Sequence, residues 1–305
     1  MNVAVVDIGS NSTRLLIAQR DAGRVTAELV RRSAVTRLGA GVDADGRLRE
    51  DAMQRVFSTL DGYRAEIDAH RCDSAVAVLT SAVRDSANGA QFAEQVGARY
   101  GLAPHVLSGD DEAQLTFRGA TSERDPADLN PTLVLDIGGG STEVVIGVGA
   151  EVSFHVSTQA GVVRQTERHL HDDPPPLHQL DELAADVRRI LRDAVPESRP
   201  AGVGRGIAVA GTATSLAAIA QQLDPYDPAR VHGYLLTAAE SDRILAELAA
   251  MTLAQRRQVP GLHPDRAPTI VAGVVIFREA LTMFGLEEIE ISEHDILRGA
   301  ALALA

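Results

Sequence analysis

"VAVVDIGSNSTRLLIA", residues 3–18, sets a run of branched apolar residues before Asp-Ile-Gly, a small polar turn and a second apolar run. "TLVLDIGGGSTEVVIG", residues 132–147, repeats the design. Aligned, "VVDIGSNSTRLLI" and "VLDIGGGSTEVVI" agree at Val, Asp-Ile-Gly, Ser-Thr and Ile. Each stretch reads as two strands joined by a tight turn, because glycine and asparagine accept the backbone conformations such turns need. Two copies of one unit in a chain predict two domains of one design.

Around the hairpins, strands alternate with helices. In the first half, a third strand is expected over 24–33, a helix over 48–70, and a buried strand from 74 that gives way to a polar loop by 88. A helix over 89–100 and a strand over 104–107 follow. "SGDDEAQLTFRGA", 108–120, reads as a helix start, with Gly109 turning the chain and acidic residues in the first turn, where the dipole favours them. "TSERDPADLNP", 121–131, is polar, carries two prolines and marks a boundary, giving domains over 1–125 and 126–305. The second half restarts with strand–turn–strand, then a strand at 151–157, a helix at 161–170, a loop at 171–179, a helix at 179–194 and a strand at 206–210. Helices at 237–251 and 268–284, a strand and a terminal helix close it. The class is α/β.

A length of 305 residues exceeds what one core usually serves, which agrees with two domains. No apolar run approaches the about 20 residues of a membrane span, and "MNVAVVD" lacks the basic start of a signal peptide. The single cysteine, Cys72, excludes an internal disulfide and points to a cytoplasmic home; it reads as a buried small hydrophobe. A net charge of −13 argues against a nucleic-acid partner. All 29 basic residues are arginine, which excludes a Walker A loop and a Schiff-base lysine. Any side-chain grip on phosphate must therefore come from arginine, whose fork holds two oxygens at once.

The turns define the chemistry. Gly9, Ser10, Asn11 and Ser12, and again Gly138, Gly139, Gly140, Ser141 and Thr142, offer backbone N–H groups with little side-chain bulk. Several N–H groups aimed into one hollow bind an anion. One carboxylate, Asp7 or Asp136, stands directly before each turn. A carboxylate beside a phosphate cradle repels it unless a divalent cation intervenes, and Mg²⁺ is commonly held by one or two carboxylates with phosphate oxygens. Two such cradles facing each other would clamp a chain of phosphates.

The chain resembles the exopolyphosphatase / guanosine-pentaphosphate phosphohydrolase (Ppx/GppA) family of the actin-like superfamily. The resemblance covers nearly the whole sequence and rests on "DIGSNSTRLLI", "TSAVRDSANG", "SGDDEAQLTFRGA", "LVLDIGGGSTEVVIG", "GVVRQTERHL", "GTATSLAAI" and "RAPTIVAGVVIFREAL". It implies two actin-like (ribonuclease H-like) domains related by internal duplication, with the active-site cleft between them. It also implies hydrolysis of a terminal phosphoanhydride, from inorganic polyphosphate or from guanosine pentaphosphate (pppGpp), with Mg²⁺ or Mn²⁺ as cofactor. By position Glu112 takes the place of the family's general base, although Asp111 stands where the motif usually has glutamate. Glu143 resembles the position that orients water and metal, beside Asp136 and Asp7 as metal ligands. Arg84 resembles the phosphate-binding arginine, with Asn88 on the same loop. Arg14 reads equally as a further contact or as an exposed strand arginine. Asp110 and Asp111 read as cap and dipole residues, Gly211-Thr212-Ala213-Thr214 as a helix-packing turn, and His232, His263 and His294 as ordinary histidines.

The chain resembles the short, two-domain members, and relatives suggest a homodimer. A net-negative body without lysine is a poor track for a very long polyanion, so short polyphosphate is the expected substrate. pppGpp 5′-phosphohydrolysis is the alternative. An actin-like small-molecule kinase and a non-catalytic phosphate sensor are readings of other classes. Glu112 in its motif speaks against the kinase.

Overall fold

A computed structural model of the chain describes residues 1–125, 127–196 and 203–304. The chain opens with β1 (Asn2–Ile8), β2 (Ser12–Asp21) and β3 (Arg24–Val35), an antiparallel meander. Short α1 (Val42–Asp45) and long α2 (Glu50–Ala69) lead to β4 (Ser74–Leu79), which lies parallel to β1. Next come α3 (Ser81–Arg84), α4 (Gly89–Tyr100), β5 (Ala103–Val106), parallel to β4, and α5 (Gly109–Ala120). The sheet order is β3-β2-β1-β4-β5.

The second hairpin repeats this plan. β6 (Thr132–Ile137), β7 (Thr142–Val148) and β8 (Glu151–Thr158) form another antiparallel meander, followed by α6 (Val162–His169) and α7 (Leu177–Ala194). β9 (Arg205–Val209) lies parallel to β6, and α8 (Ala210–Ala220) and α9 (Pro228–Val231) follow it. After β10 (Leu235–Thr237), α10 (Ala238–Ala249), α11 (Leu253–Arg256) and α12 (Ile270–Phe284), β11 (Glu288–Ile291) pairs parallel with β9. The order β8-β7-β6-β9-β11 matches the first sheet strand for strand and in every direction; β10 adds an antiparallel edge that the sequence reading lacks. The chain therefore has the expected duplicated, actin-like (ribonuclease H-like) α/β architecture.

The domain division differs from the sequence reading. One compact unit comprises Met1–Ser122 with His294–Ala305, the other Glu123–Glu293. Pro126 and Ala305, which the expected boundaries include, lie outside the described residues. The last helix, α13 (Ile296–Ala303), belongs to the first unit because its apolar face has a place only there. Leu297, Ala300 and Ala301 cluster with Val3, Val5, Leu16 and Val76 on one face of the first sheet. α13 and α5 meet backbone to backbone. A Cβ on Gly119 would stand 1.9 Å from the Asp295 carbonyl oxygen, and one on Gly299 1.8 Å from that of Leu115. The other sheet face packs Ala4, Val6, Ile8 and Leu15 against α2 and α4, through Val56, Leu60, Phe92 and Val96. Burial on both faces explains why β1 and β4 read as continuous apolar runs instead of alternating ones.

In the second unit α12 is the central helix, with eleven of its fifteen residues buried. Cys72 is half-buried at the margin of the first core, which corrects the expectation of full burial. No helix among the described residues is long and apolar enough to cross a membrane.

Candidate active site

Parallel strands gather functional groups at their carboxyl ends, where loops leave the sheet. In the first unit those ends deliver Asp7 from β1, Ser81 and Arg84 after β4, and Glu112 after β5. In the second they deliver Asp136 from β6 and Gly211-Thr212 after β9.

The two turns have the same hydrogen-bond plan. Gly9 N–H donates to the Ser12 carbonyl at 3.0 Å, and Gly138 N–H to that of Ser141 at 3.0 Å. Two further carbonyls of the first turn and three of the second are tied back. In the first unit, Thr36 and Arg37 N–H donate to the Asn11 carbonyl at 3.0 and 2.9 Å, and Gly39 N–H donates to that of Ser10 at 2.8 Å. In the second, Val162 and Val163 N–H donate to the Gly138 and Gly139 carbonyls at 2.9 and 2.8 Å, and Arg164 Nε donates to that of Gly140 at 3.0 Å. Among the described residues, the N–H groups of Ser10, Asn11, Gly139, Gly140 and Ser141 have no acceptor. Turning the carbonyls inward leaves those amides facing the other way, and that is how a peptide loop becomes an anion cradle.

A second glycine in each unit makes this possible, and the sequence reading missed both. Gly161 lies against the turn so closely that a Cβ would stand 2.2 Å from the Gly140 carbonyl carbon and 2.4 Å from Ser141 N. A Cβ on Gly39 would stand 2.8 Å from Ser10 Cβ. The signal was present: Thr36-Arg-Leu-Gly39 and Thr158-Gln-Ala-Gly161 follow the third strand of each unit with one spacing. Hydroxyls stitch the same places, Thr13 Oγ1 to Thr36 Oγ1 at 3.0 Å and Thr158 Oγ1 to the Thr142 carbonyl at 3.0 Å.

Glu112 stands in the first turn of α5, 6% exposed. The helix start is held by a capping box in which Ser108 accepts from Asp111 N–H and the Asp111 side chain accepts from Ser108 N–H; this gives Asp111 the cap role expected of it. Arg84 Nη1 donates at 2.9 Å both to Glu112 Oε2 and to the Leu107 carbonyl, so the guanidinium is braced beside the acid. Burial pushes the Glu112 carboxyl up to about 7; the Arg84 guanidinium opposes the rise, and the Asp7 and Asp85 carboxylates add to it. An acid that titrates near neutrality suits proton transfer.

Asp7 is buried, and burial also pushes its carboxyl up from the ordinary range, against the pull of Arg14. Arg14 is not an exposed strand arginine: its Nε and Nη2 donate to Asp7 Oδ2 at 2.8 and 2.6 Å, and its Nη1 donates to Asp295. Asp7 Oδ1, also buried, accepts no hydrogen bond. In the second unit Asp136 and Glu143 are register partners across β6 and β7, so their side chains share one sheet face. They are 7% and 1% exposed, and Ser157 Oγ donates to Glu143 Oε1 at 2.8 Å.

These donors fit a divalent cation. In the second unit the register-opposed buried carboxylates of Asp136 and Glu143, and in the first the orphaned Oδ1 of Asp7, are each oxygen donors of the kind Mg²⁺ or Mn²⁺ takes.

Asn88 has a different place from the one expected. Its Oδ1 accepts from Leu48 N–H at 2.8 Å and its Nδ2 donates to the Leu48 carbonyl at 3.0 Å. Both halves of the amide pin a loop, so in this structure Asn88 acts as a clamp. Ser10 Oγ pairs with Ser81 Oγ at 2.9 Å, which ties the first turn to the loop after β4. Gly211 packs under the Arg266 guanidinium, whose Nη1 donates to the Gly211 carbonyl at 2.8 Å, and Thr212 Oγ1 donates to the Ile137 carbonyl at 3.1 Å. Gly211 and Thr212 thereby anchor α8 to the base of the second turn.

A family model for the Ppx/GppA phosphatase family matches residues 16–302. Exopolyphosphatase 2 of Mycobacterium tuberculosis is 39% identical over 316 aligned positions, which cover 99% of this chain and 98% of that one. Among solved structures, an exopolyphosphatase-like protein superposes with a TM-score of 0.93 at 34% identity, over 99% of this chain and 96% of its own. The PPX-GPPA enzyme of Aquifex aeolicus gives a TM-score of 0.81 at 31% identity, with 99% of each chain covered.

Proposed function

This chain belongs to the Ppx/GppA phosphatase family and is a phosphoanhydride hydrolase, and from that premise we propose that it is an exopolyphosphatase using Mg²⁺ or Mn²⁺ and preferring short chains. The observation that carries this reading is the pair of turns whose carbonyls are tied back while five N–H groups keep no acceptor among the described residues. Such turns bind the oxygens of a phosphate chain and have no use for its sequence or length.

The residues divide the work. On the first unit, Glu112 accepts a proton from the attacking water as it approaches the terminal phosphorus in line. Arg84, braced by the Leu107 carbonyl, holds Glu112 in place and presents the rest of its fork to phosphate oxygens. In each unit the turn N–H groups, those of Ser10 and Asn11 in the first and of Gly139, Gly140 and Ser141 in the second, are donors for phosphate oxygens. Asp136 and Glu143 would hold a divalent cation on the second unit, and Asp7 Oδ1 is the corresponding donor on the first. When bound, such an ion neutralises the charge that builds on the leaving phosphate.

Two facts favour short chains. The body carries a net charge of −13, and it has no lysine with which to build a cationic track. Long polyanions would be repelled beyond the few phosphates that the cradles hold. The homodimer expected from relatives belongs to the same reading and is read by light scattering.

The test measures phosphate release per enzyme with Mg²⁺ on polyphosphates of defined length, on pppGpp, and on ATP with a panel of sugars. Turnover should be fastest on the short chains and slow on pppGpp, with no sugar phosphate formed. Faster turnover on the longest chains would reject the length preference, and faster turnover on pppGpp would make the nucleotide the substrate.

A further inference from the structure

Arg14 and Glu143 occupy the same position in the two copies of the hairpin. Asp7 pairs with Arg14 in the register of β1 and β2, as Asp136 pairs with Glu143 in that of β6 and β7. The first copy thus has a base where the second has an acid at the residue facing its carboxylate. Arg14 grips one oxygen of Asp7 twice, through Nε and Nη2, and reaches with Nη1 to Asp295, 281 residues along the chain. Asp295 is 2% exposed, and its other oxygen accepts from Leu297 N–H at 3.0 Å, capping α13. Arg31 Nη1 lies 4.0 Å from that same oxygen. α13 cannot slide, because Gly119 and Gly299 seat it directly on α5, the helix that carries Glu112.

A lone carboxylate rotates and offers either oxygen. Here Oδ2 is fixed by a planar fork, and the fork is fixed in turn by a capped helix. Only Oδ1 is left without a partner. We infer that Asp295, through Arg14, is a positioning residue that fixes the Asp7 carboxylate with Oδ1 as its single open donor. The inference rests on the reading above that Asp7 is a donor to the divalent cation. Partners that orient a metal-binding carboxylate from behind typically change affinity or activity by about 10-fold or more when removed.

The variant Asp295→Asn isolates the link. Asparagine caps a helix as well as aspartate does, so α13 keeps its start while Arg14 loses the charge that holds it. Mn²⁺ affinity is measured by electron paramagnetic resonance on the full chain, together with kcat and KM on short polyphosphate and the melting temperature. Asp295→Asn should weaken Mn²⁺ binding about 10-fold and lower kcat, with KM for polyphosphate and the melting temperature close to those of the parent. Arg14→Gln should lose Mn²⁺ affinity equally, and Arg14→Lys should recover part of it. Asp7→Asn with Asp295→Asn should bind Mn²⁺ no more weakly than Asp7→Asn alone, because both changes remove one interaction. If Asp7→Asn weakens Mn²⁺ and neither Asp295→Asn nor Arg14→Gln does, the positioning role is refuted while the metal reading stands. If Asp7→Asn itself leaves Mn²⁺ affinity unchanged, Asp7 is no donor and the inference falls with it. Should Asp295→Asn fold poorly, the Arg14→Gln and Arg14→Lys pair decides on the same readout.

Discussion

Replacing Glu112 with glutamine should move activity and stability in opposite directions. The carboxyl is 6% exposed and titrates at about 7, raised from 4.5 by burial despite the Arg84 guanidinium at 2.9 Å. A displacement of that size corresponds to about 3 kcal/mol of preference for the neutral form. The native state keeps the proton up to about pH 7, whereas the unfolded chain releases it near 4.5, so folding takes up a proton inside that window. Stability therefore falls as pH climbs through the window and stays lower above it. Glutamine is neutral at every pH and keeps an oxygen for Arg84 to donate to. Glu112→Gln should exceed the parent in unfolding free energy by about 1–3 kcal/mol at pH 8.5 and converge on it toward pH 4.5. Urea unfolding followed by far-ultraviolet circular dichroism reads this; the chain has no tryptophan to serve as a fluorescent reporter. Turnover should drop about 10²- to 10⁴-fold, and the acidic limb of kcat/KM, near pH 7 in the parent, should disappear. Retained turnover would reject Glu112 as the base. A stability gain of equal size at both pH values would show that the charge of Glu112 is not what strains the fold.

Three further outcomes follow from the geometry. Gly161→Ala should raise KM for polyphosphate at least about 10-fold and cost about 1–3 kcal/mol of stability, because the added methyl meets turn backbone at 2.2 Å; an unchanged KM would show that the turn is not the cradle. Asn88→Ala should cost about 1–3 kcal/mol in urea unfolding by orphaning both Leu48 backbone groups, with KM held within about 2-fold, since its amide is a clamp. Asp136→Asn should weaken Mn²⁺ binding about 10-fold or more and abolish turnover at low Mg²⁺; full activity there would remove Asp136 from the metal set.

The duplicated hairpin could be read from the sequence because its information is local. Asp-Ile-Gly followed by small residues is visible without any partner, and the strand order then follows from alternating strands and helices. What could not be read depends on contacts between distant segments. "ILRGAALALA" looks like the end of the second domain by position, yet Gly299 and Leu297 fit only the first sheet and α5. Asn88 sits in a loop of the right composition for phosphate, and only the approach of Leu48 shows where its amide is spent. Arg14 lies on a strand and reads equally as solvent-facing or engaged until Asp295 arrives from the far end of the chain. Gly39 and Gly161 are the instructive omissions, because Thr-x-x-Gly recurs at the end of each third strand and is legible without any partner.

The two copies of the hairpin share a backbone plan and differ in one facing side chain. The backbone plan, carbonyls tied back and amides outward, is common to both turns and treats an anion the same way in each. The side chain facing the carboxylate is where they part. Asp7 faces Arg14, whereas Asp136 faces Glu143. The first unit also buries a second acid, Glu112, held near neutrality beside Arg84. Were Arg14 an acid like Glu143, Asp7 would lose its cation and the Glu112 carboxyl would be driven higher still, out of the range where a base works at neutral pH.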